Sequence, residues 1–130
     1  DGFQEFVNRY PKSTRMELAN SKIDELRGKL RKKSYESAYL YYKIGQYHAA
    51  SVALTNFIKD FPEYENPEKI EYIAVKALKK YADGSYREKQ EERQKESQKA
   101  FEAFKLKYPT SSYLPELEKM QLSKNKRIKK

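Results

Sequence analysis

The sequence holds one histidine, His48, two pairs of adjacent carboxylates, Asp24–Glu25 and Glu91–Glu92, and no cysteine. These are the groups from which a proton-transfer, metal or nucleophile site would have to be built. An imidazole serves as a general base when a further group orients it, and two carboxylates divide acid and base roles when they face one gap. Neither arrangement is spelled out here. His48 follows Gly45 in a turn, a surface position. The carboxylate pairs lie in helical stretches, where adjacent residues point apart. The lack of cysteine removes disulfides, zinc thiolate sites and cysteine nucleophiles, and decides nothing about compartment. No glycine-rich phosphate loop, H-E-x-x-H or G-x-S-x-G is present. The chain therefore reads as non-enzymatic, with no catalytic residue, cofactor or metal expected.

Two clusters remain that could hold a partner. Arg27, Lys29, Arg31, Lys32 and Lys33 place five cations in seven residues. They are either the solvated back of a helix whose front is Leu26 and Leu30, or a patch that docks an acidic protein surface. The second cluster is Tyr35, Tyr39, Tyr41, Tyr42 and Tyr47. Tyrosine offers a large contact area with a polar tip and little entropy loss. Tyr35, Tyr39 and Tyr42 share a helical face, and Tyr41 and Tyr42 are expected in the core. The five cations and Tyr39 form the candidate partner-binding set.

The elements that position these residues come from a repeated phrase. Phe3, Phe6, Tyr10 and Pro11 match Leu54, Phe57, Phe61 and Pro62, and again Phe101, Phe104, Tyr108 and Pro109, at intervals of 51 and 47 residues. Apolar residues at i, i+3 and i+7 share one helical face, and the proline stops the helix by denying the preceding residue its helical conformation. A period of this size marks stacked helix pairs, none able to bury its apolar face alone. In the middle copy, Ala38, Tyr41, Gly45, Tyr47, Ala50, Leu54, Phe57 and Pro62 resemble the tetratricopeptide repeat. Ala38 and Ala50 would let antiparallel helices approach, Gly45 would turn the chain, and Leu54 and Phe57 would fill the seam with the next repeat.

Flanking segments extend the pattern. Thr14 and Glu17 read as a capping box, with Met16, Ala19, Ile23, Leu26 and Leu30 as the seam of a packed helix reaching residue 44. Asn66 and Pro67 start a helix with the stripe Ile70, Ile73, Ala77 and Tyr81, closed by Asp83 and Gly84. Residues 86–99 are almost without apolar side chains and read as an exposed helical extension, or a loop and then a helix. A last helix begins near Tyr113, with Leu114, Leu117 and Met120 on one face. The expected fold is all-α: a single domain of tetratricopeptide-like helix pairs with elongated helices, a short right-handed α-solenoid. Its parts are the end of a truncated repeat (1–11), a long helix with a complete repeat (12–62), an irregular repeat (63–109), and a capping helix with a basic tail (110–130).

The totals agree with a thin helical core. Of 130 residues 36% are charged and 38% apolar, with 4 Gly and 5 Pro, too few for the turns of an all-β chain. The net charge of +9 is mostly a tail: the last twelve residues carry six Lys or Arg and no acid, leaving 22 basic against 19 acidic groups in residues 1–118. Nucleic acid is therefore not an expected partner. No run of ~20 apolar residues offers a membrane span. The opening DGFQEFVNRYP already follows a helical spacing, as if the natural start, with any export or lipidation signal, lay upstream.

FQEFVNRYPKS, followed by LRKKSYESAYLYYKIGQYHAASVALTNFIKDFP, resembles the C-terminal half of the BamD family, lipoproteins of the outer-membrane β-barrel assembly machinery. Leu30, Ala38, Tyr41, Gly45, Tyr47, Ala49, Ala50, Phe61 and Pro62 agree with the family phrase, and YPTSSY at 108–113 repeats part of it. Arg31 and Ser34 stand where the family carries Ala and Glu. The resemblance implies a scaffold on the periplasmic face of the outer membrane, touching the membrane only through an N-terminal lipid upstream of this sequence. It also implies POTRA domains of the barrel subunit as partners, with accessory lipoproteins besides, and a monomer when alone. The alternative is another periplasmic tetratricopeptide-type envelope scaffold.

Overall fold

A computed structural model describes residues 12–123; the first copy of the repeated phrase, Phe3 to Pro11, and the tail beyond Ser123 lie outside the described residues. Among the described residues there are five helices and no strand: α1 (Lys12–Lys43), α2 (Tyr47–Asp60), α3 (Pro67–Asp83), α4 (Arg87–Lys107) and α5 (Leu114–Leu122). The class is all-α and tetratricopeptide-like, as expected. The chain divides into two compact units, the boundary falling inside α1 between Ser34 and Tyr35.

The described part of the first unit is the N-terminal portion of α1. The helix already runs at Lys12, so Thr14 lies inside its first turn and not ahead of it as a cap. The anticipated packed seam is corrected too: Met16, Ile23, Leu26 and Leu30 are each more than half exposed. Helical spacing lines these residues up, but burial needs a second element, and the described part of this unit is one helix.

The second unit holds the core. Ala38, Leu54, Phe57, Phe61, Ile70, Ile73 and Ala74 form one buried cluster, and Val75, Phe101, Phe104, Leu114 and Leu117 a second. Both full copies of the proline-ended phrase thus turn their apolar face inward. Their helices end as the prolines require: the Phe61 and Tyr108 amides each close a last turn, on the Phe57 and Phe104 carbonyls, and Pro62 and Pro109 follow, exposed. Ala38 and Ala50 are fully buried. Between α1 and α2 Gly45 takes φ +84°, a left-handed conformation that suits glycine and turns the chain. The Asn66 side chain accepts a 3.3 Å hydrogen bond from the Lys69 amide, and Pro67 opens α3.

One core assignment fails. Tyr41 is 43% exposed, while Tyr42 is half-buried against the first cluster. Adjacent helical residues differ by about 100° around the axis, so only one of the pair can face α2 and α3. The polar stretch after Tyr86 forms a continuous helix with α4, and it is less exposed than its composition suggests. Gln90 and Ser97 are buried, Gln90 donating to the Asp83 carbonyl at 3.3 Å and Ser97 accepting from Gln121 at 3.0 Å. Lys79 is buried with them. Its ammonium pairs with Asp83 at 3.1 Å and donates to Gln94 at 2.9 Å and to the Ser123 carbonyl at 3.2 Å.

Candidate partner-binding surface

Tyrosine spacing on α1 becomes a ladder of rings. Tyr35 and Tyr39 stack at 6.0 Å, Tyr39 and Tyr42 at 6.2 Å, and Tyr42 meets Tyr47 of α2 edge-on at 5.6 Å. Tyr35 is anchored below by Phe57 at 5.9 Å and Tyr64 at 6.2 Å. The inner rings join the core, and Tyr39, the exposed one, is carried on them.

Helix α3 faces the ladder with Tyr72, Lys76 and Lys80, at i, i+4 and i+8 along one side. Lys76 lies 5.8 Å from the Tyr42 ring centre and 4.9 Å from that of Tyr72; Lys80 lies 5.6 Å from both Tyr42 and Tyr47. Lys43 covers Tyr39 at 5.7 Å. Each such contact is worth about 0.5–1 kcal/mol at an exposed site, enough to bias a long side chain toward the ring face. The far end is closed by α5. Tyr113 stacks on Tyr72 at 3.9 Å, and Glu116 accepts a 2.6 Å hydrogen bond from the Tyr72 hydroxyl while pairing with Lys76 at 3.0 Å.

Electrostatics at this junction follow from the geometry. The Tyr72 hydrogen bond holds the Glu116 carboxyl below its usual range, against the effect of burial, and Lys76 adds to it. Burial alone would lower the Lys76 ammonium, but hydrogen bonds to Tyr72 and Glu116 leave it above the usual lysine range. Burial, then the Glu116 contact, raises the Tyr72 phenol. In the second core cluster, burial and Glu71 likewise raise Tyr108.

The opposite side of α3, by helical spacing, bears Glu71, Ala74, Val75 and Leu78. With Ile58 of α2 and Phe104 of α4 these residues border an open apolar trough of about 360 Å³.

The cations expected to bind a partner stand in the first unit. Lys32 and Lys33 are exposed, Arg31 is partly covered, and Lys29 is exposed and pairs with Glu25 at 3.5 Å. Arg27 is exposed as well. Tyr39 belongs to the second unit, so the candidate set is split between the two. The lysines of α3 are not singled out by the sequence reading, although their four-residue spacing after Tyr72 is visible in it. His48 lies in the first turn of α2, exposed, with its ring 4.9 Å from that of Tyr81.

A model of the YfiO family, described as outer membrane lipoprotein, matches residues 30–128. The chain belongs to this family. It is the BamD-type family whose phrases the sequence resembles. The YfiO match takes in the repeat positions from Ala38 to Pro109, the tyrosine ladder and the α3 lysines, along with Arg31, Lys32 and Lys33; Arg27 and Lys29 precede it. No curated protein matches the chain. Membership of an outer membrane lipoprotein family associates the chain with the cell envelope. No described helix is long and apolar enough to cross a membrane.

Proposed function

We propose that the chain is a non-enzymatic scaffold of the outer-membrane β-barrel assembly machinery, and that it corresponds to the C-terminal half of a BamD-type lipoprotein. It works on the periplasmic side of the outer membrane, tethered through a lipid carried upstream, and docks onto POTRA domains of the barrel subunit. The observation that carries this reading is the family match over residues 30–128. The physical character of the surface supports it. Stacked tyrosines and lysines already seated on ring faces lose little entropy on binding, which favours recognition by preformed complementarity. Cations at the rim set orientation and speed of association more than final affinity.

The test is binding of the chain to isolated POTRA domains by surface plasmon resonance. Reversal of Lys29, Arg31 and Lys32 to Glu should slow association and flatten the dependence of affinity on salt. Unchanged kinetics would remove the basic cluster from the interface. Failure of the unaltered chain to bind any POTRA domain would favour another periplasmic scaffold role.

A further inference from the structure

Three lysines crowd the last two turns of α3, and they meet different fates. Lys76 is neutralised by Glu116 at 3.0 Å, and Lys79, buried, by Asp83 at 3.1 Å. Among the described residues no carboxylate comes within ion-pair distance of Lys80, which Glu116 reaches only by a longer-range charge interaction, and its ammonium is held 5.6 Å from the ring centres of both Tyr42 and Tyr47.

Lys80 borders a cavity of about 580 Å³ at the turn end of the helix pairs, together with Tyr47, His48, Tyr81, Tyr86 and Arg93. No Asp or Glu is among the described residues that line it. The Arg93 guanidinium lies 4.3 Å over the Tyr81 ring and donates one hydrogen bond, to Ser85 Oγ at 2.8 Å. A guanidinium carries five N–H donors, so most of its capacity is unspent. Both cations are fixed on aromatic faces before any ligand arrives.

We propose that this cavity receives a carboxylate from an acidic segment of a partner protein, held by Lys80 and Arg93, with a neighbouring apolar side chain against Tyr86. It rests on the scaffold reading only in taking the carboxylate from a protein. Two charges without acids in the lining call for an anion, and planar Arg is suited to bidentate pairing with a carboxylate. Tyr86 is 81% exposed, a large ring free to be covered. A polyanion such as nucleic acid or a charged membrane needs an extended basic surface. Here α4 continues from the cavity with exposed charges of both signs, Glu88, Glu91, Glu92 and Glu96 among Lys89, Lys95 and Lys99, and not with such a basic surface. The surroundings favour a short acidic segment.

The test uses the full chain, isotopically labelled, titrated with the acetylated and amidated tripeptide Glu-Phe-Glu and followed by NMR. The acidic peptide should shift the Arg93 side-chain signals and the Tyr47 and His48 amides, while the Gln-Phe-Gln peptide leaves them in place. Lys80→Gln and Arg93→Gln should each weaken binding about fivefold or more, a loss of the order expected for one close charge pair. Equal response to both peptides, or unweakened binding by both variants, would overturn the proposal. So would a response to inorganic phosphate or phosphatidylglycerol vesicles without one to the peptide. A chain that binds POTRA domains yet ignores the peptide overturns the cavity proposal alone; one that takes the peptide but no POTRA domain overturns the docking reading alone.

Discussion

The Tyr72 hydroxyl donates to Glu116 Oε1 at 2.6 Å, and this contact fastens the last helix, α5, onto α3. The same carboxylate pairs with Lys76 at 3.0 Å, so one acidic group holds two partners on successive turns of α3. Leu114 and Leu117 bury the apolar side of α5; Glu116 secures its edge.

Glu116→Gln should reveal this fastening through pH. The folded carboxyl titrates below its unfolded value, so its stabilisation is present above the unfolded pKa of about 4.3 and disappears as pH falls through the folded one. Glu116 is half exposed, which keeps the effect to about 1 kcal/mol or less. Thermal melts should show the parent chain above Glu116→Gln at neutral pH, with the gap closing in acid. At the alkaline end the raised Tyr72 phenol works the other way: its contribution is present below the ordinary tyrosine pKa and is lost as pH rises through the folded value.

Two glycines at helix ends should respond differently to alanine. Gly45 has φ +84° and open space where a Cβ would stand, so Gly45→Ala should cost about 1–2 kcal/mol through backbone conformation alone. Gly84 has φ −90°, and a Cβ there would sit 3.5 Å from the Lys80 carbonyl, an ordinary contact. Gly84→Ala should change stability by less than about 0.5 kcal/mol. Urea denaturation of the two variants separates these outcomes.

Asp83→Asn should be more damaging than Lys79→Met. Without the Asp83 charge the ammonium of Lys79 stays buried with only neutral acceptors, a loss of about 2–3 kcal/mol once the partial exposure of Asp83 is allowed for. Lys79→Met leaves behind a carboxylate that water can reach, and fills the site with an apolar chain of similar length. Its cost should be about half as large or smaller. Calorimetry that ranked the two in reverse would show that the ion pair is not what stabilises this junction.

Apolar truncations should follow burial, not helical spacing. Phe57 is 2% exposed and Met16 is 57% exposed. Phe57→Ala should cost about 3–5 kcal/mol and Met16→Ala no more than about 0.5 kcal/mol in thermal unfolding.

The proline-ended phrases are legible because they combine a period with a stop signal, and Leu54, Phe57, Phe101 and Phe104 are all buried as the pattern requires. The period alone misleads at Met16, Ile23, Leu26 and Leu30, since it states which residues share a face and not whether anything covers it. Gln90 and Ser97 are hidden for a different reason. Continued backward from Phe104 and Phe101, the stripe passes through Ser97, Gln94 and Gln90 in steps of four and three, but polar residues there read as solvent-facing. Gln90 donates to Asp83 on the preceding helix and Ser97 accepts from Gln121, 24 residues away, partners that the helical stripe does not name. The lysine side of the candidate surface goes unread because cation–ring contacts join α3 to α1 and α2, a pairing visible only after folding.

The interior knot of Lys79, Asp83, Gln94 and the Ser123 carbonyl has a consequence for alignment. The large apolar anchors of α4, Phe101 and Phe104, sit near its C-terminal end, and the buried residues of the preceding turns, Gln90 and Ser97, are polar. Grease tolerates sliding: a shift of one turn, about 5.4 Å, would trade one set of loose contacts for another. Polar partners do not tolerate it, because the same slip would strand an ammonium away from every acceptor. The knot therefore acts as a ruler, fixing the register of a long, charge-rich helix against its neighbour.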